Sequence, residues 1–411
     1  MEGVDLNALA AAVGTPAFVY SAGSLSARYR EFAAAFAAAP HRIHFAVKAN
    51  GNLAVLRTFR DLGAGADIVS IGEWRRCLAA GFAPTDVVFS GVGKTGAELE
   101  EAVRAGLASI NVESLDELDL LGRIAAGRPV AVGIRCNPDV SADTHPYIST
   151  GQAGIKFGIP SDQIGPAMAL LHRYPSLRLV TLAVHVGSQL LEVEPFRAAA
   201  RRVVALLAEV RQAGIDTVRA LDLGGGLGIR YADERPPDPV AYADAILPAL
   251  APTGLAVHLE PGRYLAGNAG ILLTSVLYRK QSGGREFVVV DAGMTELARP
   301  SRYGAFHDIV PVRDHDGPTA SCDVVGPVCE TGDFLGHDRI LPAGLAAGEL
   351  LAILGVGAYG FVMGSNYNAR LRPPEVLLRG SRWGIARRRE TLAELVVGEE
   401  AEPFADKEHA G

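Results

Sequence analysis

Two patterns of hydrophobic residues alternate over the first two thirds of the chain. Short apolar runs alternate with longer segments whose apolar residues recur every three or four positions, the periodicity of amphipathic helices. Strands that are apolar throughout and separated by helices pair in parallel beneath a helical layer. The runs are IHFAV (43–47), ADIVS (66–70), VVFSG (87–91), SINV (109–112), VAVGIRC (130–136), LVTLAVHV (179–186), RALDL (219–223) and LAVHLE (255–260).

These repeated units predict an α/β fold with a closed, TIM-like (β/α)8 barrel. An open doubly wound sheet is the competing architecture, and its phosphate loop usually follows the first strand. Here the triple glycine, Gly224–Gly226, follows the seventh run instead, which favours the barrel. We expect its backbone N–H groups to lie where a helix begins, an arrangement suited to a phosphate.

The pattern changes after about Gly270. Helical periodicity gives way to strands divided by Gly, Pro and Asp turns, which predicts a second, mainly antiparallel β-barrel or sandwich domain. The early run AFVYS (17–21) is expected to join that domain. We therefore expect the barrel to span residues 23–270 and the second domain to combine 1–22 with 271–411. The strand-like segments are GILLTSVLYRK, REFVVVDAG, ASCDVVGPV, DRILPA and ELLAILGVG.

Polar residues collect at the carboxyl ends of the predicted barrel strands, where barrels of this type place their chemistry. Each has an ordinary alternative: a strand-end lysine can extend its ammonium into solvent, a lone histidine is usually a core residue, and a glycine run is usually a turn. Their common position at one barrel mouth favours a functional site. The candidates are Lys48, Asp67, His185, Ser188, Gly225, Gly226, Glu260, Gly262 and Arg263.

A phosphate-binding turn beside a lysine that can form a Schiff base indicates pyridoxal 5'-phosphate as the cofactor. A dinucleotide is disfavoured, because the glycine spacing fits GxGxxG poorly and no ribose-binding acid follows at the usual distance. His185 is then placed to stack on the cofactor ring, and Glu260 to pair with the pyridine nitrogen. A carboxylate at that nitrogen keeps it protonated and makes the ring a strong electron sink.

Length, charge and cysteine content limit the number of domains, the partners and the cellular compartment that the chain can have. A chain of 411 residues exceeds one hydrophobic core, and its net charge of −7 provides no attraction for nucleic acid. We expect no membrane span and no secretory signal, because long apolar stretches and a basic leader are missing. Widely spaced cysteines without a C-x-x-C pair argue against a metal site and fit a reducing cytoplasm. They are Cys77, Cys136, Cys322 and Cys329.

A series of segments runs through the chain in one order: GTPAFVY, HFAVKAN, GADIVSIGE, NPDVSADTHPYISTG, KFGI, HVGSQ, GGGLGI, EPGR, DAGMTELARPSRYGAFH, GPVCETGDFL, GAYGFVMGSNYNARLRP and RRRETLAEL. In these motifs and their order the chain resembles the fold type III, alanine-racemase-type pyridoxal-phosphate decarboxylases nearly from end to end. The resemblance is to the branch that acts on meso-2,6-diaminopimelate. It implies that the chain decarboxylates this amino acid to L-lysine, the last step of lysine biosynthesis.

The resemblance also implies roles for individual residues. Lys48 would hold the cofactor, and Cys329 would return a proton to the substrate carbon. Cys329 would do so across a homodimer interface, inside the partner's barrel, so the sites would be composite. As an ordinary alternative, Cys329 would be a small buried hydrophobe. The residues implied around the cofactor and substrate are Asp67, His185, Ser188, Gly225, Gly226, Glu260, Gly262, Arg263, Arg299, Tyr303, Glu330 and Tyr359.

Two other functions remain open at this stage. One is decarboxylation of a different amino acid or of a carrier-bound acyl group. The other is a regulatory protein that binds pyridoxal phosphate without catalysis, for which the barrel alone would suffice. The polar cluster around Cys329 and the cation at Arg299 favour an enzyme, because a free amino-carboxylate needs charged partners.

Overall fold

Eight parallel strands close into a barrel in the computed structural model, which describes residues 1–138 and 155–403. Each strand pairs with its sequence neighbours, and the first pairs with the last. The predicted fold class is confirmed. Most of the motif NPDVSADTHPYISTG lies outside the described residues. The strands are β2 (His41–Ala46), β3 (Gly65–Ile68), β4 (Val87–Phe89), β5 (Ser109–Val112), β6 (Val130–Arg135), β7 (Leu177–Ala183), β8 (Ala220–Asp222) and β9 (Ala256–Leu259).

Helices surround the barrel, and polar caps define several of their starts. Ser70 and Ser114 each accept a hydrogen bond from a backbone N–H three residues on, and Thr95 forms a reciprocal capping box with Glu98. The helices are α2 (Ala22–Ala35), α3 (Leu53–Asp61), α4 (Ile71–Ala80), α5 (Gly96–Ala105), α6 (Leu115–Ala125), α7 (Ile164–Arg173), α8 (Glu194–Gln212), α9 (Pro239–Leu250) and α10 (Arg263–Ala266). None of the described helices is long and apolar enough to cross a membrane.

A second sheet lies beside the barrel, and its strand order is β14-β13-β11-β10-β1-β16-β17, with β15 pairing β10 and β12. Within this second sheet, only the β1–β16 and β11–β13 pairs of the described strands are parallel, so the sheet is mainly antiparallel. Two short helices accompany it, α1 (Leu6–Val13) and α11 (Arg299–Tyr303). Its strands are β1 (Ala17–Ser21), β10 (Gly270–Ser282), β11 (Arg285–Val290), β12 (Ile309–Pro311), β13 (Thr319–Val325), β14 (Phe334–Pro342), β15 (Leu350–Ile353), β16 (Glu375–Arg379) and β17 (Arg382–Arg387).

The run AFVYS forms β1 and lies inside this second sheet, antiparallel to β10 and parallel to β16. Helix α2 begins at the next residue and packs on the barrel, so one short segment serves both parts of the molecule. The Tyr20 hydroxyl donates to Glu375 on β16 at 2.8 Å, and the Asn50 amide donates to the Gly357 carbonyl at 2.9 Å. The first bond joins two strands of the second sheet, and the second bond connects the segment after β15 to the turn that carries Lys48.

Two local expectations were wrong. Strand β2 ends at Ala46, and Lys48 lies in the following 3-10 turn, Val47–Ala49, which the Asn50 N–H closes on the Val47 carbonyl. An apolar run does not reveal where a strand becomes a turn. The triple glycine does not begin a helix either: α9 starts at Pro239, where Asp238 supplies the cap and proline fits the first helical position.

Candidate active site

Lys48 and Asp67 form an ion pair at the barrel mouth. The Lys48 Nζ donates to Asp67 Oδ2 at 2.6 Å, and Asp67 is fully buried. The pairing of β2 with β3 positions these two side chains, because Ala46, two residues before Lys48, is the register partner of Asp67. Burial alone would lower the pKa of Lys48, but the carboxylates of Asp67 and Glu260 outweigh it and raise that pKa. Asp67 is therefore the hydrogen-bond partner that stabilises the charged form of Lys48.

Glu260 and Asp222 form a pair of carboxyl groups at the ends of adjacent strands. Within the described residues, Glu260 Oε1 and Asp222 Oδ2 are buried and lack a hydrogen-bond donor. Burial raises the pKa of Asp222 to about 6. Burial, together with the charges of Asp222 and Asp67, also raises the pKa of Glu260 well above its usual value. Burial therefore disfavours two charged carboxylates side by side in this pair, and Glu260 Oε1 presents an acceptor that no described residue satisfies.

His185 is neutral and held by the glycine turn. The Gly225 N–H donates to its Nδ1 at 3.3 Å, which places the ring proton on Nε2. Burial, with Arg135 and Lys48 nearby, lowers the pKa of His185 well below its usual value. A Cβ on Gly224 would lie 2.6 Å from this ring, so only glycine at that position leaves room for the histidine.

The triple glycine and EPGR turns form a cradle beside Lys48. A Cβ on Gly225 would lie 2.4 Å from the Glu260 carbonyl oxygen, so the backbone approaches closely here. Arg263 Nη2 donates to Ser188 Oγ at 3.0 Å. One cavity joins nine of the candidates: Lys48, His185, Ser188, Gly225, Gly226, Glu260, Gly262, Arg263 and Tyr359.

Tyr359 comes from the second part of the molecule and contacts the Lys48 turn. Its backbone N–H donates to the Ala49 carbonyl at 2.8 Å, and its φ of 57° is a left-handed value unusual for tyrosine. The Arg263 guanidinium lies 4.8 Å from the centre of its ring. The second domain thus closes the cradle on the side opposite the barrel strands.

Arg299 begins α11 in the second domain and packs against Tyr231 of the loop before α9, without lining the two cavities that adjoin Lys48. It is only 7% exposed, and its guanidinium lies 4.7 Å from the centre of the Tyr231 ring. The Tyr231 hydroxyl accepts from Arg263 Nη1 at 2.6 Å, which connects Arg299 to the cradle. No carboxylate of the described ranges lies within ion-pair distance of Arg299, so its charge is available to a ligand.

Cys329 and Glu330 lie apart from these groups, exposed on the turn between β13 and β14. Buried Asp333 anchors that turn by accepting from the backbone N–H groups of Met294 and Val328, both at 2.6 Å. Tyr303 ends α11 with its ring beside Arg302. Within one chain, neither Cys329, Glu330 nor Tyr303 lines the two cavities that adjoin Lys48.

Several residues that the structure brings into the site are not among those predicted from the sequence. Asp222 belongs to the predicted strand run RALDL, although an acid two positions before a triple glycine at a barrel mouth is a usable signal. Arg135 ends β6 and lines a second cavity with Lys48, His185 and Glu260. Tyr231 lies in the long loop before α9, where no periodic pattern marks it.

Comparisons with known proteins agree with this arrangement. A model of the family described as "Pyridoxal-dependent decarboxylase, pyridoxal binding domain" matches residues 22–267. The chain is 48% identical over 404 residues to the diaminopimelate decarboxylase of Pseudomonas aeruginosa, which covers 98% of this chain and 97% of that relative. It is 46% identical to that of Vibrio cholerae over 96% of this chain and 94% of the relative. Diaminopimelate decarboxylase from Helicobacter pylori, solved in complex with L-lysine, superposes with a TM-score of 0.92 at 38% identity, covering 95% and 98% of the two chains.

Proposed function

The chain belongs to the diaminopimelate decarboxylases of the pyridoxal-dependent decarboxylase family, and from this membership we propose which residues carry its reaction. The enzyme decarboxylates meso-2,6-diaminopimelate to L-lysine and carbon dioxide, the last step of lysine biosynthesis. The proposal rests on one observation: a single cavity joins Lys48, His185 and Glu260 to a glycine cradle and to Arg263.

The residues of this cavity fit pyridoxal phosphate. The close-packed glycine backbone and the donors Ser188 and Arg263 suit its phosphate, Lys48 would bind its aldehyde carbon, and the unpartnered Oε1 of Glu260 would accept from its ring nitrogen. When bound, this cofactor supplies the electron-accepting ring that takes up the electron pair left by departing carbon dioxide.

The protein groups hold and move protons around that chemistry. Asp67 stabilises the charged form of Lys48, and the amine must lose that proton before it can bond to a carbonyl carbon. Glu260 would hold the proton on the ring nitrogen by accepting a hydrogen bond from it, and burial beside Asp222 raises the pKa of both carboxyl groups. Neutral His185 supplies a flat face beside Lys48 without adding a charge that would repel the lysine.

The position of Cys329 supports a homodimer with two composite sites. Its thiol is exposed on the second domain, away from the cavities around its own Lys48, whereas an acid that returns a proton to the substrate carbon must touch that carbon. A second copy of the chain would bring Cys329 and Glu330 to the barrel mouth. An exposed catalytic thiol requires reducing surroundings, so we place the enzyme in the cytoplasm.

Mixed dimers test the composite site. Lys48→Ala and Cys329→Ala are each expected to be inactive alone, and their co-expression is expected to restore about a quarter to a half of the activity per dimer, since each mixed dimer has one intact site. Differently tagged chains and tandem purification isolate the mixed species. If purified mixed dimers remain inactive, Lys48 and Cys329 must act from the same chain.

The distal end of the substrate is proposed to bind Arg299. One amino-carboxylate of meso-diaminopimelate reacts, while Arg299 can hold the other carboxylate as a fork, with Tyr303 and Glu330 completing the binding site. Used as substrates, L-lysine and L-ornithine lack this second carboxylate. Carbon dioxide release should therefore favour meso-diaminopimelate by several orders of magnitude, on the order of 10⁴, because a buried arginine would otherwise lose its partner.

Arg299→Ala should raise KM for meso-diaminopimelate at least tenfold and leave the absorbance of the bound cofactor unchanged. Arg382→Ala, at an exposed arginine of β17, is the matched control and should behave as wild type. Equal turnover of L-lysine and meso-diaminopimelate by the wild-type enzyme would show that the enzyme does not recognise a distal carboxylate.

A further inference from the structure

His307 lies behind Arg299 and is completely buried. Its two ring nitrogens have different partners: Nδ1 lies 2.8 Å from the Leu354 carbonyl oxygen, and Nε2 lies 2.8 Å from Arg299 Nη1. A carbonyl can only accept and a guanidinium can only donate. Nδ1 therefore carries the proton, and Nε2 accepts from the arginine.

A neutral acceptor suits a residue that must bind a carboxylate. An aspartate or glutamate behind Arg299 would neutralise its charge before the substrate arrived. The imidazole instead occupies one guanidinium N–H and leaves the positive charge and the remaining donors in place. Burial, with Arg299 close by, lowers the pKa of His307 to about 3, so the ring stays an acceptor across the neutral range.

The surroundings of His307 fix the direction in which Arg299 points. The Tyr231 ring packs edge-on against His307 at 5.1 Å between centres and presents its face to the Arg299 guanidinium at 4.7 Å. Tyr231 is itself bonded to Arg263 at the cradle. The guanidinium is thus held on two sides, and its remaining donors are kept at a set position relative to the cofactor cavity.

We propose that His307 is a positioning residue for substrate specificity, which holds Arg299 in the orientation that binds the distal amino-carboxylate of the substrate. This inference rests on the proposed role of Arg299. The histidine touches neither substrate nor cofactor and acts through the arginine alone. Its loss should therefore weaken recognition of the distal carboxylate and spare the chemistry at Lys48.

Two substitutions at His307 test the contacts of the two ring nitrogens separately. In His307→Asn the side-chain amide can still donate to the Leu354 carbonyl, but it is too short to reach Arg299. In His307→Gln the longer amide presents an oxygen near the position of Nε2 and can accept from Arg299. Both variants are uncharged and polar, so a shared effect on folding would appear in both, in the melting temperature and in cofactor absorbance.

The ratio of two inhibition constants reports the orientation of Arg299. L-Lysine carries an amine for the Lys48 end and an amino-carboxylate for the Arg299 end, whereas 1,5-diaminopentane carries the same amine without the carboxylate. In the wild-type enzyme diaminopentane should inhibit at least about tenfold more weakly than lysine, the scale of a charge-assisted fork. The ratio should fall towards one in His307→Asn and stay within about threefold of wild type in His307→Gln. KM for meso-diaminopimelate should rise in the asparagine variant with kcat little changed.

The outcomes distinguish the role of Arg299 from that of His307. A wild-type ratio near one would refute the distal carboxylate site at Arg299 itself. A large wild-type ratio that persists in folded, cofactor-loaded His307→Asn would leave the Arg299 site standing and overturn the role of His307. Equal loss in the asparagine and glutamine variants would also overturn it, because a retained acceptor would then have no effect.

Discussion

Lys48→Ala is expected to lose both decarboxylation and the visible absorbance of the lysine-bound cofactor. The amine that Lys48 presents beside Asp67 is the group placed to bond covalently, and no other residue of the cavity can form that bond. Activity should fall by roughly a thousandfold or more, as when a nucleophilic residue is removed from other enzymes. Absorbance spectra and carbon dioxide release measure the two effects separately.

Lys280→Ala, at an exposed lysine of β10, is the control and should retain both properties. Borohydride reduction followed by peptide mapping gives an independent answer, because it fixes the cofactor to the lysine that holds it. A label on Lys94, Lys156 or Lys280 in place of Lys48 would show the assignment to be wrong.

Glu260→Gln should slow decarboxylation by roughly a hundredfold or more while the cofactor remains bound, the scale seen when one electrostatic stabiliser is removed. The amide cannot keep the ring nitrogen protonated, so the ring draws electrons less strongly. Cofactor content is measured by absorbance after denaturation, and turnover by carbon dioxide release. Glu192→Gln, at an exposed position before α8, is the matched control. Turnover near wild type in a fully loaded Glu260→Gln enzyme would contradict the electron-sink role.

The barrel and the polar residues at the ends of its strands could be predicted because the strands follow a periodic pattern. Near-continuous apolar strands place their last residues at one mouth, so Lys48, His185 and Glu260 stand out as polar interruptions. The hairpin β16–β17 was missed, although Gly380 between EVLLR and RWGIA marked a turn. Strand β17 begins and ends with arginine, which hid its few apolar residues.

The second domain's contribution could be predicted only in part. His307 ends the segment DAGMTELARPSRYGAFH, and Tyr231 lies 76 positions before it, yet the two rings are in contact. Such a pairing leaves no local pattern, because it depends on how the two domains pack.

The placement of β1 determines the order in which the molecule can assemble. This strand comprises residues 17–21, yet its neighbours are β10 and β16, which begin more than 250 and 350 positions later. During synthesis all eight barrel strands are made before either partner of β1, since β10 follows β9 and β16 comes later still. Arg299 and Tyr359 are also made after the barrel strands. The strands of the barrel are therefore available for pairing before these residues of the second domain exist, and β1 must stay unpaired until β10 and then β16 have been made.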